Sequence, residues 1–160
     1  MGACDGLLVS KSHVENAQIG IRTSGTGAIV ERTSVDTTTG DGIQMNGTGA
    51  IVERVEVENA TGGNGVVVNG DNAWVVRADV RNTTGRGVVV AGNDAFVVGN
   101  RTDQTNGGVQ VTGNAPIVDK NRVTSTAGTL AGLQVTCTTC TGGSVAKNRV
   151  ANVQAAPGYR

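Results

Sequence analysis

A glycine followed by an alternating apolar stretch returns at Gly20, Gly42, Gly65, Gly87, Gly108 and Gly132, at intervals of 22, 23, 22, 21 and 24 residues. Self-similarity at such a period marks stacked units, each unable to bury its apolar face alone. The six tetrapeptides read GIRT, GIQM, GVVV, GVVV, GVQV and GLQV. Their second and fourth positions (Ile21 and Thr23, Ile43 and Met45, Val66 and Val68, Val88 and Val90, Val109 and Val111, Leu133 and Val135) share one face, because side chains alternate along a strand. That face is the interior. A turn at Gly25, Gly47, Gly70, Gly92 and Gly113 leads to a second inward column of Val30, Val52, Val75, Val97, Val118 and Val145. Five residues on, Val35, Val57, Val80, Thr102, Val123 and Val150 form a third.

The pattern predicts an all-β solenoid, a parallel β-helix of about seven coils with 21–24 residues per coil and no evident capping helix. It is read as one domain over residues 1–160, with a partial coil over 1–19 before the first full repeat. At ~4.8 Å per coil the rod is roughly 34 Å long. Met1 falls at the phase of Arg22, and Gly158-Tyr159-Arg160 aligns with Gly20-Ile21-Arg22. Both ends are therefore expected to be uncapped strand edges, which invite end-to-end association unless a larger parent protein covers them.

Composition fits this reading. Twenty-five glycines serve turns, valine and threonine suit pleated surfaces, and Trp74, Phe96 and Tyr159 are the only aromatics. A narrow interior filled by stacked valines needs no large rings. Lys+Arg and Asp+Glu balance at 13 each, so bulk charge points to neither a nucleic acid nor a membrane surface. No apolar run is long enough to span a bilayer, and no signal peptide opens the sequence.

Two further columns are polar. Thr33, Val55, Ala78, Asn100, Asn121 and Asn148 sit at a corner; Thr37, Asn59, Asn82, Gln104, Ser125 and Asn152 form a second stack. Amides at such positions can bond neighbouring backbone and ladder between coils.

The G-h-x-h strand, small-residue turn and V-x-x-N-x-V run (Val118 to Val123, Val145 to Val150) resemble the right-handed parallel β-helix repeat family. That family includes pectate-lyase-like enzymes, tailspikes and many secreted bacterial proteins. The resemblance covers nearly the whole chain and specifies fold rather than activity. It implies a right-handed coil, the usual hand of parallel crossovers, and a secreted or cell-surface location. Enzymes of this fold place carboxylates for calcium beside a basic residue, or cluster aspartates as acid and base. Here no Asp-Asp pair occurs. The single histidine, His13, shares an outward column with Ser34, Glu56, Asp79, Arg101, Arg122 and Arg149. Glu31, Glu53, Glu56 and Glu58 are expected to lie at positions whose counterparts in other coils are not acidic, as solvated faces allow. Glycine-rich turns such as Gly40-Asp41-Gly42 open no helix that could cradle phosphate, and lack the regular aspartates of calcium-binding nonapeptide repeats. No catalytic residue, metal site or cofactor is assigned.

The three cysteines are Cys4, Cys137 and Cys140. The CTTC run lies in an enlarged turn without the second ligand pair that zinc needs and without the helix of a thioredoxin-like motif. A local Cys137–Cys140 disulfide or a pair of free thiols remain the two readings. Cys4 lies roughly six coils from Cys137, too far for a bridge within one chain.

Two outward features could carry interactions. Arg101, Lys120, Arg122, Lys147 and Arg149 cluster on the last three coils and could hold an acidic polysaccharide, although no aromatic platform accompanies them. Preceding each inward valine of the second strand stand Leu8, Ile29, Ile51, Trp74, Phe96 and Ile117, a column that alternation points outward. Val67, Val89, Val76 and Val98 add to this apolar exterior. An exposed stripe of this kind marks an interface; a slip of one residue in phase would instead make it core. The expected function is a structural or interaction scaffold that binds itself or other domains of a parent chain, through Ile29, Ile51, Trp74, Phe96 and Ile117 and through its ends. The rivals are a fragment of a polysaccharide lyase, hydrolase or epimerase, or an acidic-glycan module, and an ice-binding solenoid. For the last, Thr23, Thr33 and Thr102 are scattered over columns rather than ranked.

Overall fold

The computed structural model describes residues 5–124, 130–138 and 140–151, and every regular element in them is a β-strand. The strands form three faces of a rod. The first face holds Ile21–Ser24, Ile43–Asn46, Val66–Asn69, Leu133–Thr136 and the second halves of two long strands, Asp79–Ala91 and Arg101–Thr112. The second is a seven-stranded sheet of Leu8–Ser10, Ile29–Glu31, Ile51–Glu53, Trp74–Val76, Phe96–Val98, Ile117–Asp119 and Ser144–Ala146. The third holds His13–Ala17, Ser34–Thr38, Glu56–Ala60, the first halves of the two long strands, Arg122–Thr124 and Arg149–Ala151.

Pairing is parallel throughout, each strand bonding its equivalent one repeat away: Val9 opposite Val30, Val30 opposite Val52, Val52 opposite Val75. The columns read from the sequence are thus the physical register of the sheets. Faces two and three carry seven strands and face one carries six, so the described residues make about six turns. Where the two long strands run through the corner, faces three and one merge into one sheet, with a register shift between Thr83 and Arg86.

The interior is the sum of the inward columns. Val30, Val52, Val75, Val97 and Val118 are completely buried, as are Val57, Val80, Ile43, Met45, Val66, Val68, Val88, Val90, Val109 and Val111. Each such side chain contributes about 1.5–3 kcal/mol. Val145 and Val150, equivalent to Val118 and Val123, are 54% and 44% exposed. They belong to the last described coil, which lacks a described neighbour on its far side. The sequence also places Val67 on the exterior, and this is corrected: it is only 7% exposed, flanked in register by Gln44 and Val89.

The glycine that opens each repeat is there for space. A Cβ on Gly65 would overlap Cγ1 of Val80 across the narrow interior and lie 2.7 Å from the Gly87 carbonyl oxygen of the next coil. The turn glycine is different: Gly47 has a φ of +150°, and a side chain there would run into the backbone of Gly25 one coil below.

The corner between faces two and three is turned by one left-handed residue per coil, and its inner side is closed by the first polar stack. Thr33, Val55, Ala78, Asn100 and Asn121 all point inward and are at most 3% exposed. From Asn100 onward the stack becomes an amide ladder. Asn100 Nδ2 donates to Oδ1 of Asn121 (2.9 Å), and Asn121 Nδ2 to Oδ1 of Asn148 (3.0 Å). Each amide also donates to a carbonyl of an earlier coil: Asn100 to Val75, Asn121 to Val97 and Asn148 to Val118. Each Oδ1 in turn accepts a backbone N–H, from Ala78, Asn100 and Asn121 respectively. The second polar stack lies on the rim, where Asn59 Nδ2 donates to Asp36 and Asn82 Nδ2 donates to Oδ1 of Asn59. Its positions Ser125 and Asn152 lie outside the described residues, as do Cys4, Met1 and Arg160.

Two substitutions test this frame. Asn121→Ala strips an acceptor from two donors of Asn100 and a donor from the Val97 carbonyl, and should cost at least about 2 kcal/mol in chemical denaturation. Gly65→Ala should cost about 1–3 kcal/mol through overpacking. A Gly65→Ala protein as stable as the parent would show that the interior has room to spare.

Candidate functional site

The outward stripe on face two follows from strand alternation. With Val75 and Val97 inward, Trp74 and Phe96 face out, and the strands hold Leu8, Ile29, Ile51, Trp74, Phe96, Ile117 and Ser144 in one register row. Trp74 is 48% exposed, Ile117 39% and Leu8 58%; Ile29, Ile51 and Phe96 are half-buried by their neighbours. The Trp74 and Phe96 rings stack with centroids 4.7 Å apart and planes tilted by 32°. Val76 and Val98, also in register, extend the patch beside the rings. The stripe is thus widest and most aromatic halfway along the rod, with Glu31, Glu53 and Asp119 on its rim.

The basic residues divide between two places. Arg101, Arg122 and Arg149 stack in one outward column of face three. Lys120 and Lys147 instead occupy the left-handed corner, with φ of 54° and 53°. That corner column continues through Lys11, Arg32, Arg54 and Arg77 and is interrupted only by Gly99. The longer row is not evident from sequence, where left-handed positions are expected to hold Gly or Asn. Several cations have carboxylates close by: Arg101 lies 3.7 Å from Asp103, Lys120 3.7 Å from Asp119 and Arg54 3.5 Å from Glu53.

The register corrects the expectation that the glutamates stand alone in their columns: Glu31 is opposite Glu53, Glu56 opposite Asp79 and Glu58 opposite Asp36, and the acids of face three are more organised than solvated positions need to be. Arg81 binds Asp79 at 2.6 Å, Glu58 at 3.0 Å and Glu56 at 3.3 Å, and its pKa is raised mainly by the bond to Asp79. Asp36 is held below its ordinary carboxyl value by hydrogen bonds from Asn59 and Thr37. His13 lies between Ser34 Oγ and Glu15 Oε1, each at 2.6 Å, on an exposed strand. Among the described residues no three His, Cys, Asp or Glu side chains gather into a metal-holding group. Of the threonines weighed for ice binding, Thr23, Thr33 and Thr102 are internal, each at most 4% exposed.

Cys137 and Cys140 are joined in a disulfide across their turn, with Cα atoms 5.5 Å apart. The same part of the rod contains a residue the sequence gives no reason to single out. Arg86 is only 8% exposed, and desolvation lowers its pKa. Its guanidinium passes over Gly107 and reaches the coil two repeats away. There Nη1 donates to the Ala131 carbonyl (3.2 Å) and Nη2 to Gln134 Oε1 (2.7 Å). No carboxylate neutralises it among the described residues, so its work is to pin the last face-one strand. Arg86→Met should lower stability by about 1–3 kcal/mol and speed amide exchange over residues 131–136 ahead of the coils before Arg86. Uniform exchange along the rod would refute this local role.

Residues 41–157 match the family described as the right handed beta helix region. No curated protein and no solved structure gives a significant match. The family match spans well over half of the chain and agrees with the parallel three-faced coil. This chain belongs to the right-handed β-helix family.

Proposed function

We propose that this solenoid is an interaction scaffold, and that the apolar stripe of face two is where it meets another protein surface, either a second copy or another domain. The observation that carries this reading is the stacked Trp74–Phe96 pair, half of whose tryptophan is in water at the middle of the rod. Exposed aromatics in a rigid, well-packed patch are typical interface anchors, and the charged rim of Glu31, Glu53 and Asp119 fits the polar border such patches carry. Leu7, Val145 and Val150 are further exposed apolar side chains, at the two ends of the described rod.

Binding of an acidic polysaccharide by the basic cluster is the weaker reading. Arg101 and Lys120 already sit near Asp103 and Asp119, which leaves Arg122, Lys147 and Arg149 to attract an anion.

The test is the double variant Trp74→Ala/Phe96→Ala. Both rings lie on the outer face rather than in the core, so thermal unfolding should move by less than about 1 kcal/mol. Sedimentation velocity should show association weakened at least tenfold, since two anchors of about 1 kcal/mol or more are removed. An unchanged sedimentation profile would remove the stripe from consideration, and loss of the fold would mean that these rings are core.

A further inference from the structure

The zero net charge conceals a polar rod. Residues 1–80 hold ten acidic and five basic side chains, whereas residues 81–160 hold three and eight. Face three displays this division most clearly. Its first outward column runs His13, Ser34, Glu56, Asp79, Arg101, Arg122, Arg149, each in register with the next. Its second runs Glu15, Asp36, Glu58, Arg81, Asp103, Thr124. In the first column the sign changes between Asp79 and Arg101; in the second the opposite change falls at the same height, between Arg81 and Asp103.

A surface that changes sign about its midpoint complements itself when turned end for end. Consider a two-fold axis along the strand direction, between the coil of Asp79 and that of Arg101. It sets Asp79 against Arg101 of a second copy, Glu56 against Arg122, and Ser34 against Arg149. In the neighbouring column it sets Arg81 against Asp103. Every contact occurs twice, as in any isologous pair. Parallel strands repeat every ~4.8 Å, so Arg101, Arg122 and Arg149 stand one above another as like charges directly opposite, an arrangement that destabilises a lone sheet. Among the described residues Arg122 and Arg149 form no ion pair, and both are exposed. The carboxylates that would relieve them are in the other half of the same face.

We propose that two copies of this chain pair antiparallel through face three, in the register that places Glu56 of each copy against Arg122 of the other. This surface is separate from the face-two stripe and goes beyond the scaffold reading. Its contacts are charged and border on water, so they set orientation and register and are screened by salt.

The experiment uses the full chain in the Trp74→Ala/Phe96→Ala background, which removes the face-two contact. Association is followed by sedimentation equilibrium at low and high sodium chloride. The proposal expects a dimer at low salt that weakens about tenfold as screening shortens the Debye length. Arg122→Glu and Glu56→Arg, made singly, should each weaken it roughly tenfold, because one exchange alters two symmetric contacts. The chain carrying both changes should dimerise to within about threefold of the parent, as should an equimolar mixture of the two single variants. Circular dichroism melts of each variant establish that it is folded. Should Glu56→Arg disturb the Arg81 network, Arg149→Glu with Ser34→Arg tests the same register without touching it. A monomer at low salt, association indifferent to salt, or single variants that neither weaken binding nor rescue each other would overturn the proposal. A background variant that never associates while the unaltered chain does would leave the face-two reading standing and remove this one.

Discussion

The hydrogen bonds that hold this rod together run along its axis, from each coil to the next. Ile21 donates to Gly42, Ile43 to Gly65, Ile51 back to Ala28 and Trp74 to Ala50, and the same scheme recurs in every coil. A coil therefore satisfies its strand backbone with its neighbours rather than with itself. From this follows the strict stacking of equivalent residues at the spacing of parallel strands. Any side chain that enters a column must tolerate a copy of itself above and below. Valine does so inside, because its branched shape packs on a pleated surface. Asparagine does so at the corner, because an amide can donate up and accept from below, as Asn100, Asn121 and Asn148 do.

The same translation makes the exterior unusual. On a globular surface a tryptophan and a phenylalanine need not meet, but here Trp74 and Phe96 occupy one column and stack. Like charges are also brought together, which explains why acids of the early coils collect around Arg81. Where no opposite charge stands beside a run of a column, as at Arg122 and Arg149, the fold leaves repulsion on its surface. Stacking turns a short sequence preference into a linear feature of the rod, whether apolar, acidic or basic.

Much of this was legible in the sequence because side-chain alternation is a local property. Val30 to Val118 and Val35 to Val123 read as core from period two alone, and Trp74 reads as outward from its place beside Val75. Other features depend on distances that no short window contains. Gly65 looks like a turn residue, yet what forbids a side chain is Val80, fifteen positions later and across the interior. The left-handed Arg32, Arg54 and Arg77 contradict the usual preference for glycine or asparagine, so propensity conceals the corner row they make. Val67 obeys alternation and is nonetheless covered. The division of charge between the halves lies openly in the sequence, but acquires meaning only once the coils are ordered along an axis.

Arg86 shows where the regular frame needs help. Up to Gly108 the repeats are nearly uniform, and each coil rests on valines directly beneath it. The last repeat is interrupted, with the Cys137–Cys140 turn on one side and a longer passage before Leu133 on the other. Leu133 and Val135 are only partly buried, so the column contributes less there than at Val109 and Val111. A cation buried without a counterion is costly, and it persists when its hydrogen bonds hold something that apolar packing cannot. Arg86 spends its guanidinium on the Ala131 carbonyl and the Gln134 amide, two coils away. The disulfide closes the turn and the arginine bonds the strand, in a coil whose inward side chains are less deeply buried than those before it.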